Sequence, residues 1–154
     1  LRPSLSAYGD SVLLGAGPRL SPHLRHLDLD AVEGRQAYDV LNDIIADARH
    51  HQTRPYVLIH IGDNGIISPP QLDYALHELR AAKRVVLMTV RVPREWQDPN
   101  NNTIRSVGHH YANVDIVDWH ALASAHPQWV YSDGIHLTAA GAVAYTHIVM
   151  TALR

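Results

Sequence analysis

Five short apolar runs, separated by polar breaks and by segments with helix-like spacing, constrain this chain more than any other feature of its sequence. The runs are Leu5–Gly9, Leu27–Val32, Tyr56–Ile61, Arg84–Val90 and Val114–Val117. Tyr56–Ile61 is dense in apolar residues, as a strand buried on both faces should be, whereas a strand with one wet face would alternate. Gln36–Arg49 and Gln71–Ala82 carry apolar residues near helical spacing, the second announced by Pro69-Pro70. Thr103–Tyr111 reads as a further helix, and Thr138 as the N-cap of a last one reaching about Leu153. Strands interleaved with helices predict an α/β fold, a three-layer α/β/α sandwich around a five-stranded parallel sheet. Pro93–Asn102, which includes Asn100-Asn101-Asn102, is the least regular stretch and is expected to be a mobile surface loop.

In open parallel sheets the ligand crevice lies beyond the carboxyl ends of the strands. Three motifs follow strand candidates or lie in late loops: Gly9-Asp10-Ser11, Gly62-Asp63-Asn64-Gly65 and Asp133-Gly134-Ile135-His136. A serine hydroxyl is a poor nucleophile until a histidine takes its proton, and the histidine works best when a carboxylate holds its tautomer. Ser11, His136 and Asp133 are therefore the candidate triad. Taken singly, Gly-Asp-Ser and Asp-x-x-His are ordinary turn sequences. Their conjunction with Asn64 on an alternating α/β pattern is what points to acyl-transfer chemistry.

Composition narrows the partners. The chain has 154 residues, enough for one domain with a single substantial core and no need of a partner domain to fold. No apolar run approaches the length of about 20 residues that crosses a bilayer. A net charge of -2 and thirteen scattered basic residues argue against nucleic acid as the main partner. With no cysteine there is no disulfide, thiol nucleophile or thiolate metal site. Twelve histidines include His50-His51 and His109-His110, but no His-Glu-x-x-His motif occurs, so neither a metal nor another cofactor is expected. The chain starts at Leu1 without a signal-like segment, which suggests a processed product or a domain cut from a longer protein.

Gly9-Asp10-Ser11, Gly34, Gly62-x-Asn64 and Asp133-x-x-His136 resemble the four sequence blocks of the SGNH hydrolase superfamily, whose fold is flavodoxin-like. The blocks span nearly the whole chain. Gly9-Asp10-Ser11-Val12, Asn64-Gly65 and Asp133-Gly134-Ile135-His136-Leu137-Thr138 are most similar to the extracytoplasmic SGNH domain of bacterial cell-envelope O-acetyltransferases. Those domains commonly follow a membrane-embedded acyltransferase-3 domain. By that resemblance Ser11 is the nucleophile, His136 the base and then the acid, and Asp133 the residue that orients His136. The Ser11 and Gly34 backbone N–H groups and the Asn64 side-chain amide would form the oxyanion hole.

The same resemblance implies an acyl-serine intermediate whose acyl group passes to a cell-envelope glycan, with an acyl donor and that glycan as partners. It also implies an extracytoplasmic location, a monomeric isolated domain and an acyltransferase-3 domain in the same polypeptide. An esterase of the same fold and a non-catalytic glycan-binding module are the alternatives. Related acetyltransferases often carry Thr where this chain has Asp63. A carboxylate aimed into the site would oppose an oxyanion, so Asp63 is expected to point away or to be hydrogen-bonded. Asp10 reads as a turn cap. Arg35 and Gln36 are candidate substrate contacts, with an exposed helix start as the other reading. One of Trp119, Trp129 and Tyr131 is expected to line the groove, Trp129 being named as a substrate contact, although core packing accounts for them equally.

Overall fold

The computed structural model describes residues 2–154. The elements run β1 (Ser4–Gly9), α1 (Ser11–Leu20), β2 (His26–Ala31), α2 (Ala37–Arg49), β3 (Tyr56–His60), α3 (Pro69–Glu78), β4 (Arg84–Met88), α4 (Gln97–Gly108), β5 (Val114–Val117), α5 (Trp119–Ala125) and α6 (Ala139–Ala152). The strands form one parallel sheet in the order β2-β1-β3-β4-β5. All five expected strands are present.

Alternate residues of the central strands feed two separate cores. Tyr8, Val57, Ile59, Val85 and Leu87 pack against α2, α3 and α4. Leu5, Ala7, Leu58, Val86 and Met88 face the other way, against α1, α5 and α6. The period-two alternation of strand side chains thus makes three layers from one sheet. Each fully buried aliphatic side chain contributes about 1.5–3 kcal/mol, so β3 and β4 form a stiff base for whatever their ends carry. The edge strand β2 presents His26, Asp28 and Asp30, and such polar edges discourage pairing with other chains.

The chain leaves β1 for β2 on one side and returns to β3 on the other. This reversal opens a crevice between the carboxyl ends of β1 and β3, the place where doubly wound sheets bind ligands. In the register of the two strands Gly9 pairs with His60, so the Asp10-Ser11 turn lies beside the loop from Ile61 to Gly65.

Two helices are absent from the sequence reading. Helix α1 contains Gly15, Gly17 and Pro18, all weak helix formers. Gly17 allows the close packing of α1 on β2, since a Cβ there would lie 2.6 Å from Leu29 Cδ2. Helix α5 has seven residues, too few for periodicity to register.

The expected mobile loop at Pro93–Asn102 is a correction. Helix α4 begins at Gln97, and Asn100 and Asn101 are buried on it. Asn101 accepts from Val90 N at 2.8 Å and donates to Val90 O at 2.9 Å, pairing the chain just beyond β4 as another strand would. Asparagine reads locally as a turn residue, but here its amide satisfies backbone groups distant in sequence.

Candidate active site

The turn that carries Ser11 is built by backbone constraints. Gly9 cannot be another residue without movement, because a Cβ would lie 2.7 Å from the His60 carbonyl oxygen and 2.9 Å from Leu13 Cβ. Asp10 has extended dihedrals and caps α1, its Oδ1 accepting from Val12 N at 3.1 Å. Ser11 follows as the first residue of the helix, where a backbone N–H has no intrahelical partner and the dipole favours negative charge. Its hydroxyl is partly exposed at the crevice.

From the far end of the chain the Asp133–His136 loop reaches over this turn. Asp133 Oδ1 accepts from Ile135 N at 2.8 Å and from His136 N at 3.1 Å, while Oδ2 lies 2.6 Å from His136 Nδ1. His136 Nε2 lies 3.0 Å from Ser11 Oγ. A carboxylate on Nδ1 holds the proton there, leaving Nε2 to accept from the serine. Burial pushes the Asp133 carboxyl up, but hydrogen bonds from the His136 ring and from the Ile135 and His136 N–H groups outweigh it, so its pKa lies below the ordinary carboxylate value. The carboxylate therefore stays charged to balance an imidazolium.

Several contacts hold the loop. Gly134 takes a positive φ of 75° at the turn. The Tyr131 N–H donates to His136 O, Val130 pairs with Leu137, and Thr138 caps α6 by accepting from Gly141 N at 3.1 Å. Arg91, just beyond β4, donates from Nη1 to Gly134 O at 2.6 Å. Between Arg91 and Asp133 runs an open groove of about 370 Å³, also lined by Pro93, Gln97, His120 and Ser132.

The Gly62–Asn64 loop follows β3. Gly62 takes a φ of 106°, and Asn100 holds the loop's shape by donating to Gly62 O at 3.0 Å and Gly65 O at 2.8 Å while accepting from Ile67 N at 2.9 Å. Asn64 Nδ2 donates to Arg35 O at 3.2 Å, which joins this loop to the turn containing Gly34. A primary amide has a second N–H, and that one is free for another acceptor. Gly34 has a φ of 73° with open space around it, so conformation alone favours glycine there.

The remaining candidates divide. The Arg35 guanidinium is bound by Asp30, at 2.6 Å, and by Asp43, with its side chain only one-tenth exposed. Its link to the site is its backbone carbonyl. Gln36 is exposed, and its Oε1 lies against Gly65, next to Asn64. Trp129 stacks between Trp119 and His126, with ring centroids 5.8 Å and 3.9 Å away, and packs on the core. Trp119 is fully buried, which leaves Tyr131 as the exposed member of the three. Asp63 points inward below the site, its carboxylate 3.2 Å from His60 Nε2. The carboxylate is buried rather than turned out to solvent, and its contact is with the His60 ring.

Sequence reading missed Asn100, Arg91 and Trp96, whose indole N–H donates to Asp63 O at 3.3 Å. No local signal marks them, because each acts on a segment about 30 or more residues away. Among the described residues, no group of three or more His, Asp or Glu side chains is arranged to hold a metal ion.

The sheet order, the Ser-His-Asp contact and the amide-bearing loop after β3 are those of the SGNH hydrolase fold. Within it, the chain is a homologue of the peptidoglycan O-acetyltransferases. It is 32% identical over 147 residues to peptidoglycan O-acetyltransferase OatA of Listeria monocytogenes, covering 96% of this chain and 23% of the relative. It is 29% identical over 143 residues to O-acetyltransferase OatA of Staphylococcus aureus, covering 92% of this chain and 24% of the relative. The chain thus spans about a quarter of the length of the curated relatives it matches. No protein-family model matches it. The solved C-terminal catalytic domain of Streptococcus pneumoniae peptidoglycan O-acetyltransferase A, bearing a methylsulfonyl adduct, superposes with a TM-score of 0.81 at 21% identity, over 99% of this chain and 93% of that one.

Proposed function

We propose that this domain moves an acetyl group, through an ester on Ser11, to a hydroxyl of a cell-envelope glycan of the peptidoglycan type. The observation that carries this reading is the continuous Ser11–His136–Asp133 hydrogen-bond chain in a homologue of named peptidoglycan O-acetyltransferases. In the first half-reaction His136 Nε2 takes the Ser11 proton as Oγ attacks the donor carbonyl, and Asp133 stabilises the imidazolium. The tetrahedral oxyanion is held by the Ser11 and Gly34 N–H groups and by the free N–H of Asn64. His136 then protonates the leaving group. In the second half the acceptor hydroxyl loses its proton to His136, attacks the ester and regenerates Ser11.

Water as the acceptor would make the same site an esterase. The side chains of His136 and Asp133 are 47% and 44% exposed, so the walls of this site do not keep water from the ester. A bound glycan must do so itself, by covering the ester when its hydroxyl is seated. Gln36, exposed and against Gly65 next to Asn64, is the substrate contact retained from the earlier candidates, and Tyr131, exposed and bonded through its N–H to His136 O, is the aromatic proposed beside it. Trp129 is assigned to packing. The relatives are about four times longer, and the acetyl donor is proposed to come from a membrane-embedded acyltransferase-3 domain in the same polypeptide; in that reading this domain works outside the cytoplasm. No helix described is long and apolar enough to cross a membrane.

The purified domain, given a chromogenic acetyl ester together with envelope glycan fragments, is expected to yield acetylated glycan detectable by mass spectrometry. Release of acetate with no acetylated glycan would replace the transferase reading by the esterase one. Glycan binding with no turnover of any ester would leave only the binding-module reading. Asn64→Ala is expected to lower kcat by about 10²–10³ with a small change in KM, since an oxyanion donor acts on the transition state. An Asn64→Ala enzyme with unchanged kcat would remove Asn64 from the oxyanion hole.

A further inference from the structure

Directly below the nucleophile lies a group of buried ionisable side chains that the reaction does not use. Asp10, His60 and Asp63 are each at most 5% exposed, and Tyr145 is fully buried. Asp10 Oδ1 is satisfied by Val12 N, but Asp10 Oδ2 and both Asp63 oxygens receive no well-aligned hydrogen bond from any N–H or O–H. His60 Nε2 touches Asp63 Oδ2 at 3.2 Å, and His60 Nδ1 is 2.8 Å from the Tyr145 hydroxyl. Gly9 pairs with His60 in the parallel register of β1 and β3, so Asp10 and Asp63 follow neighbouring strand ends, and their unpartnered oxygens are buried there.

Two ionised carboxylates cannot rest against each other in such a site, because their repulsion is unscreened and each has lost its water. One proton between them turns the repulsion into a short hydrogen bond. His60, 3.2 Å from Asp63, is the group placed to offset the remaining negative charge. Burial and the neighbouring Asp63 push the Asp10 carboxyl up to about 8, against a smaller opposing pull from His60. Burial alone would lower the His60 pKa, but Asp63 and Asp10 outweigh it and raise it.

The placement of these four residues is what gives the group a role. Asp10 is covalently next to Ser11, Asp63 is next to Asn64, His60 ends β3, and Tyr145 lies on α6, whose cap Thr138 is two residues beyond His136. We infer that Asp10 and Asp63 share one buried proton above His60, and that this bond sets the spacing between the Ser11 turn and the Asn64 loop. Asp63 is thus a positioning residue: it acts on the oxyanion hole through Asp10 and its own backbone. This rests on the proposed roles of Ser11 and Asn64. The titratable groups facing the shared proton are Asp10 from the β1–α1 turn, His60 from β3, Asp63 from the following loop and Tyr145 from α6.

The shared proton has a signed consequence for stability. Asp10 keeps its proton when folded up to about pH 8 and releases it in the unfolded chain near 3.8, so the native state binds more protons across that window. Stability therefore falls as pH rises through it.

The test compares wild type, Asp63→Asn and Asp63→Leu. An asparagine donates an N–H to the Asp10 carboxylate and keeps the tie without a titrating proton. A leucine of similar size cannot. Wild-type kcat is expected to fall by about tenfold from near-neutral to mildly alkaline pH as the shared proton leaves. Asp63→Asn should lose that alkaline limb and retain kcat within about tenfold, whereas folded Asp63→Leu should lose more than about tenfold in kcat with KM little changed. Infrared spectroscopy at neutral pH should show a protonated carboxyl band in wild type that is missing from both variants, a readout that needs no turnover. Absence of that band in wild type, or identical pH profiles for wild type and Asp63→Asn, would overturn the inference. A wild type that shows the band but hydrolyses and transfers nothing would overturn the proposed function instead. If Asp63→Leu fails to fold, the Asn variant and the infrared band still decide.

Discussion

Ser11→Ala is expected to reduce turnover of an acetyl ester by about 10⁴-fold or more while leaving the fold intact. The size follows from what is removed: among the described residues no other hydroxyl is hydrogen-bonded to His136 Nε2, so the ester intermediate cannot form. What remains is substrate positioning and oxyanion donors, which in serine enzymes still exceed water by a modest factor. The stability change should stay within about 0.5 kcal/mol, because the helix cap is supplied by Asp10 and the Ser11 hydroxyl is partly exposed. The contrast of a preserved melting temperature with lost turnover is the diagnostic result. A methylsulfonyl reagent should modify the wild type on Ser11 and leave Ser11→Ala unmodified, as read by intact and peptide mass spectrometry. Wild-type turnover in Ser11→Ala would end the acyl-serine mechanism.

Asn100→Ala is expected to have the largest effect on stability of any single amide in the molecule, about 3–5 kcal/mol, measured as a shift of the denaturant midpoint. It strips the Gly62 and Gly65 carbonyls and the Ile67 N–H of their partner in a buried place. Each unsatisfied buried group costs about 1–3 kcal/mol, and together they approach a large fraction of a domain's stability. Activity should fall more than the folded fraction does, since the freed loop carries Asn64. Asn100→Asp should be no better, because a carboxylate offers no donor to two carbonyls that need one. An Asn100→Ala midpoint equal to wild type would mean that the loop holds its shape without this side chain.

Much of the site could be read from local sequence because its chemistry sits on short turns. Gly9-Asp10-Ser11 and Asp133-Gly134-Ile135-His136 each fold by near-neighbour contacts: Asp10 caps the helix two residues on, and Asp133 accepts from Ile135 and His136. The five strands were legible because β3 and β4 are buried on both faces and so keep almost no polar residues. Where reading failed, a residue's environment was set at long range. Asn100-Asn101 looked like a loop because asparagine favours turns, yet their partners stand 11 to 38 residues away. Asp63 read as a carboxylate that must point away or be hydrogen-bonded, and its neighbours Asp10 and His60 are what make its buried position tolerable. Arg35 read as a substrate contact or an exposed helix start, and Asp30 and Asp43 bind its guanidinium instead.

The sequence by itself determined the alternation of strands and helices, the candidates for nucleophile, base and carboxylate, and the caps at Asp10 and Thr138, because each depends on residues within a few positions. The tertiary structure decided that β1 lies between β2 and β3, which opens the crevice at the end of β1 and brings Ser11 to within 3.0 Å of a histidine 125 residues away. It also decided which polar side chains are buried and with what partner. A buried polar group is stable only if something distant satisfies it, and sequence order carries no record of that distance.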